Sequence, residues 1–124
     1  MSVTLRLTDL SLAVCKINDP RDADLAEGFF TLSATGRETS LVCETSSVPQ
    51  NALQCEAGYR AFEILGPLDL SMIGVVAGIS TALAKNRISV FIISTFDTDY
   101  ILVKEAKVEK AIDALVGAGY SVVQ

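Results

Sequence analysis

No histidine occurs anywhere in the 124 residues. Its absence removes the commonest general base, the commonest metal ligand and the usual partner in a nucleophilic triad. Hydrolase or transferase chemistry is harder without it, although a carboxylate or a lysine can still serve. Basic residues are scarce and unclustered: ten lysines and arginines against fifteen acids leave a net charge of −5. Nucleic acids are held mainly by Lys and Arg on phosphates, and anionic membrane surfaces by polybasic segments, so both partners are disfavoured. Cysteine is sparse too. Cys15, Cys43 and Cys55 are odd in number and far apart, with no Cys-x-x-Cys pair, so neither a zinc site nor a thioredoxin-like motif has support. Cys15 and Cys43 fall in apolar β-like runs and read as small buried hydrophobes. Cys55 falls in a polar stretch and reads as exposed, a redox role there having only Arg60 to support it. No basic start precedes a long apolar core, so no signal peptide is expected. The most apolar run, Met72 to Ile79, is far short of a membrane span. The expectation is a cytoplasmic protein with no metal and no cofactor.

What is present is the composition of a globular chain, 50% hydrophobic and 20% charged. Its length suits one compact domain or two half-size modules sharing a core. Organisation is clearest from Tyr59 to Val123. Ile88 to Phe96 alternates as a β-strand with apolar residues on both faces, Asp97-Thr98-Asp99 supplies turn formers, and Tyr100 to Val103 resumes a strand, which together read as a hairpin. Met72, Val75, Val76, Ile79 and Leu83 recur at helical spacing, so Ser71 to Lys85 reads as an amphipathic helix with Asp69 as N-cap and a Leu68–Ile73 staple. Ala61 to Leu65 reads as a strand ending at Gly66-Pro67. Val108, Ala111, Ile112 and Leu115 mark a second helix stopped by Gly117 and Gly119, and Tyr120 to Val123 is a last strand. The order is βαββαβ, an α+β ferredoxin-like arrangement.

That order, together with Gly66-Pro67-Leu68-Asp69, Gly74, Ile88-Ser89-Val90, Ser94-Thr95-Phe96-Asp97-Thr98-Asp99-Tyr100 and Ala118-Gly119-Tyr120, resembles the ACT domain family of amino-acid-binding regulatory modules. The similarity is closest to the group related to the C-terminal module of aspartate kinases and to the cytosolic arginine sensors of animals. It implies tandem ACT-like modules with antiparallel sheets, here a degenerate one over residues 1–58 and a regular one over 59–124.

In the first half, Val3 to Leu7 and Leu10 to Ile17 read as strands and Asn18 to Asp22 as a breaker cluster. Asp22 to Glu27 is at most one helical turn. Gly28 to Ala34 and Thr39 to Glu44 flank a turn at Thr35–Glu38, and Ser46 to Ala57 reads as a linker or a short irregular helix. This hairpin matches the one at Asp97–Asp99 in pattern, without sequence identity. Glu38 to Cys43 resembles a segment of the family's first module, with Thr39 where an apolar residue is usual.

Asp97 and Asp99 flank one turn residue and can point to one side of the hairpin. Such a pair could hold a divalent metal, could bind the ammonium of a small zwitterion, or could be a solvated turn. The start of the first helix offers the complementary half, unpaired backbone N–H groups with the positive end of the helix dipole. The resemblance implies that the loop there, Asp69, Leu70, Ser71 and Gly74, takes the ligand's polar groups. A glycine inside a helix costs about 1 kcal/mol relative to alanine, which close approach by a backbone or a ligand at Gly74, or tight helix–sheet packing, would account for. The expected site is therefore Asp69, Leu70, Ser71, Gly74, Ser94, Thr95, Phe96, Asp97 and Asp99, with Glu38 or Ser40 of the first module as added contacts. The expected function is a small stand-alone sensor of an amino acid or similar zwitterion, acting as a homo-oligomer or on a partner enzyme. The alternatives are a ligand-free protein interaction module and a small lyase-like enzyme using Asp97, Asp99 or Lys104.

Overall fold

The computed structural model describes residues 3–26, 28–65 and 73–124. The chain divides into two compact units, Leu10–Tyr59 and a larger one formed by Met1–Asp9 with Arg60–Gln124.

In the larger unit, strands β1 (Thr4–Leu7), the distal part of β5 (Gln54–Ile64), β6 (Phe91–Ser94), β7 (Asp99–Lys104) and β8 (Ser121–Val123) form a sheet in the order β6-β7-β5-β1-β8. Helices α1 (Val75–Lys85) and α2 (Val108–Gly117) complete the βαββαβ order from β5 onwards. The N-terminal strand, expected in the first module, pairs here instead: Leu5 lies opposite Ile64 in β5, and β1 runs parallel to β8 on its other side. The physical reason is its alternation. Leu5 and Leu7 are buried in the core with Phe62, Ile64, Ile79, Leu83, Ile101, Val103 and Leu115, while Arg6 on the other face bridges Glu63 at 2.8 Å.

The helices follow their apolar stripes. Ile79, Ala82 and Leu83 are the buried face of α1, and Val108, Ala111 and Leu115 that of α2. The start of α1 differs from the expectation. It begins at Val75, and Gly74 is its N-cap at φ 82°, so Gly74 is not an interior helical residue. An added Cβ there would meet nothing within 4 Å. Its glycine answers to left-handed backbone and not to close approach. The expected N-cap Asp69 and the Leu68 of the staple lie outside the described residues. Both helices end in Schellman geometry. The amide of Ile88 reaches the carbonyl of Leu83 at 3.0 Å with Arg87 at φ 59°, and that of Tyr120 reaches Leu115 at 3.0 Å with Gly119 at φ 99°.

The smaller unit contains β2 (Leu12–Ile17), β3 (Phe30–Ala34), β4 (Thr39–Glu44) and the proximal part of β5, in the order β5-β2-β4-β3. Here the expected linker is corrected. Gln54 to Ala57 is strand, with Cys55 opposite Cys15 and Glu56 opposite Val14. Those side chains are exposed at the sheet edge, so their polarity hid the strand. Where the larger unit has helices, this one has, among its described residues, only the 3-10 turns Pro20–Asp22 and Thr45–Ser47. Asp19 caps the first through the amide of Arg21 and pairs its guanidinium at 2.7 Å.

The two hairpins repeat one another with an offset of 60 residues. Thr39–Glu44 corresponds to Asp99–Lys104, with the same alternation of burial, and each strand runs into a 3-10 turn, Thr45–Ser47 or Glu105–Lys107. In each turn a threonine amide reaches the carbonyl three residues on, Thr35 to Glu38 at 2.9 Å and Thr95 to Thr98 at 2.8 Å. The threonine hydroxyls donate to the same carbonyls.

Candidate functional site

The turn of the β6–β7 hairpin is a four-residue connection, Thr95-Phe96-Asp97-Thr98, between a facing pair, Ser94 and Asp99. The preceding pair on the same face, Ile92 and Ile101, packs into the core beneath the helices. Side chains alternate along a strand, so Ser94 and Asp99 also face the helical side at the sheet's end. The Ser94 hydroxyl donates to the Asp99 carboxylate. Asp99 is half-buried. Asp97 lies in the exposed tip beside Phe96, whose side chain is 96% exposed.

What anchors this turn is Thr98, which the sequence reading left as a spacer between the two acids. Its hydroxyl donates to the carbonyl of Ile64 at 2.5 Å, the last residue of β5, where the chain departs towards α1. The turn is thus tied to the end of β5. The first bond of α1 runs from the amide of Gly78 to the carbonyl of Gly74 at 2.8 Å. The amides of Val75, Val76 and Ala77 precede it and have no acceptor within the helix. The expected contacts Asp69, Leu70 and Ser71 lie outside the described residues. Ser40 belongs to the other unit, in β4 between Ser33 and Lys16, and Glu38 closes that unit's own turn.

On the opposite face of the larger sheet, Arg6, Glu63 and Tyr100 form a row. The Tyr100 hydroxyl donates to Glu63 at 3.1 Å, and burial, then this hydrogen bond, hold the phenol above its ordinary pKa. Between α1 and α2 lies a groove of about 490 Å³ whose walls include Gly78, Lys85, Asp113 and Tyr120. Among the described residues no group of three His, Cys, Asp or Glu side chains is arranged to hold a metal, and no helix is long and apolar enough to cross a membrane.

This arrangement offers a carboxylate with a neighbouring hydroxyl at a strand end. A family model described as ACT domain matches residues 54–116. Among solved structures, a protein of Agrobacterium tumefaciens is 30% identical with a TM-score of 0.87, over 99% of this chain and 93% of that one. A Vibrio cholerae protein of unknown function is 21% identical with a TM-score of 0.73, over 95% and 91% of the two chains. The ligand-free regulatory subunit of aspartate kinase from Thermus thermophilus is 12% identical with a TM-score of 0.64, over 95% and 99%. The last two show a shared fold. Among curated proteins none matches.

Proposed function

The chain belongs to the ACT domain family, and on that premise we propose that it is a regulatory protein that binds an amino acid or a similar small zwitterion at the end of the larger unit. The observation that carries the reading is Asp99, half-buried on the helical side of the sheet and hydrogen-bonded to Ser94. In this reading the ligand's ammonium pairs with Asp99, with Ser94 and Thr95 as hydroxyl contacts and Asp97 as a weaker, solvated partner. Its carboxylate takes amides of the first turn of α1, which have no intrahelical acceptor and where the helix dipole favours an anion. Asp69, Leu70 and Ser71, the other contacts expected on this side, lie outside the described residues. In this reading the smaller unit is a second ACT-like module with 3-10 turns in the helix positions; its sheet order β5-β2-β4-β3 and the 60-residue hairpin repeat support this. A regulatory role without catalysis suits a chain with no histidine.

The test is calorimetric titration of the twenty amino acids into wild type and Asp99→Ala. One of them should bind wild type at one site per chain, and the substitution should weaken it by about 2–5 kcal/mol, because a desolvated ammonium loses its counter-charge. No heat from any amino acid, or equal affinity for both proteins, refutes the proposal.

A second reading rests on Phe96. An aromatic ring this exposed at a hairpin tip suits insertion into a partner protein. If the hairpin is a docking element and not a ligand site, Phe96→Ala abolishes partner capture while every amino-acid titration stays silent.

A further inference from the structure

Two of the three cysteines are brought together by the strand pairing of the smaller unit. Cys15 in β2 lies directly opposite Cys55 in β5, and their sulfurs are 3.4 Å apart, with the Cys15 thiol donating to Cys55. Cys15 is buried and Cys55 is exposed. Cys43 is also buried, on the same face of the sheet, opposite Ala13 one pair along. Cys43 also shares a hydrogen bond with Cys15, and as a small apolar side chain in the cluster of Ala13, Cys15, Ile17 and Leu41 it is accounted for by packing. It does not account for Cys55, which sits in solvent between the exposed Gln54 and Glu56.

We propose that Cys15 and Cys55 are a peroxide-reactive thiol pair that closes to an intrachain disulfide. Facing residues on antiparallel strands have Cα atoms about 4.5–5.5 Å apart, inside the window a disulfide requires. Two sulfurs already in contact need only side-chain rotation to bond. Access assigns the order of events. A hydroperoxide reaches Cys55, whose sulfur is oxidised to the sulfenic acid while the peroxide is reduced, releasing water or an alcohol. Cys15 then attacks that sulfur, the S–S bond forms, and the hydroxyl leaves with the Cys15 proton as water. Two thiols have lost two protons and two electrons, and the peroxide has gained them. Cys15 is poorly suited to the first step. Burial first, then the hydrogen bond to Cys55 and the charge there, push its thiol up to about 12, so it stays protonated until a sulfenic acid lies against it.

The experiment treats reduced protein with hydrogen peroxide and reads free thiols, intact mass and a non-reducing peptide map. Wild type and Cys43→Ser should each lose two thiols and two hydrogens, link Cys15 to Cys55, and recover on addition of a dithiol reductant. Cys55→Ser, a change at an exposed position, should form no intrachain link. The proposal is overturned if wild type keeps all three thiols, if Cys55 ends as sulfinic acid or an interchain disulfide, or if Cys15 links to Cys43.

Discussion

Tyr120 and Gly78 offer a test of how α1 is seated, because the sign of one substitution should depend on the other. Gly78 lies inside α1, where replacing glycine by alanine normally gains about 1 kcal/mol. Here the added carbon would collide with the Tyr120 hydroxyl, although the ring carbon bearing it stands at an ordinary 3.8 Å. Forcing an extra carbon into a packed contact costs about 1–3 kcal/mol. Gly78→Ala should therefore be neutral or destabilising by up to about 2 kcal/mol once the gain in helix propensity is subtracted. In a Tyr120→Phe background the obstructing oxygen is gone, and the same substitution should stabilise by about 1 kcal/mol. The coupling energy of the cycle is then about 1–3 kcal/mol. Urea unfolding of the four proteins, followed by far-UV circular dichroism at matched slopes, measures it. Equal effects of Gly78→Ala in both backgrounds, within about 0.3–0.5 kcal/mol, would refute the reasoning. The outcome bears on the proposed site because α1 supplies the amides assigned to the ligand's carboxylate.

The two ends of α1 should respond to substitution with opposite signs. Gly74→Ala places a side chain at φ 82° and should lose about 1–2 kcal/mol by chemical denaturation, whereas Arg87→Gly relieves a non-glycine residue at φ 59° and should gain up to about 1 kcal/mol. Tyr100 adds a pH dependence. Its folded pKa is raised, by burial and then by Glu63, so its contribution to stability is fully present below the unfolded value of about 10 and is lost as pH rises through the folded one. Thermal melts at increasing alkaline pH should show the gap between wild type and Tyr100→Phe narrowing, and a widening gap would reverse the assignment.

The second half of the chain was legible because its periodicities are clean. Met72 to Leu83 and Val108 to Leu115 repeat at helical spacing, and Phe91 to Ser94 with Asp99 to Lys104 alternate around turn formers. What failed was governed by partners distant in sequence. Val3 to Leu7 alternates wherever it lies, and nothing local says that Leu5 faces Ile64 and not a neighbour in the first half. Gln54 to Ala57 looked like a linker because an edge strand carries polar side chains on exposed backbone. Gly74 looked interior because the apolar spacing runs past it, although positive φ ends the helix there. At the site, Ser94, Asp97 and Asp99 stood out as residue types. The hydroxyl of Thr98 on the carbonyl of Ile64 spans 34 positions, and no local pattern announces it. The Cys15–Cys55 contact, over 40 positions, is of the same kind.

The repeated hairpin also separates what the scaffold dictates from what the proposed ligand requires. Backbone geometry is shared: the turn bonds, the burial of the returning strand and the 3-10 turn that follows recur 60 residues apart. A fold needs these features, so both copies keep them. The pair at the mouth of the turn is not shared. Ser94 faces Asp99 in one hairpin, while Ala34 faces Thr39 in the other, which replaces a hydroxyl and a carboxylate with a methyl and a hydroxyl. Among the described residues the corresponding strand in the smaller unit is followed by the 3-10 turn Pro20–Asp22 and not by an α-helix, so that copy offers no array of first-turn helix amides. Among the described residues that copy has neither feature on which the proposed site rests. Neither loss is needed to keep the strands paired, since that unit retains its sheet order without them. Among the described residues a hydroxyl faces a carboxylate at the mouth of the larger unit's hairpin and not at that of the smaller, so under the proposed reading the titration finds one site per chain and loses it through Asp99.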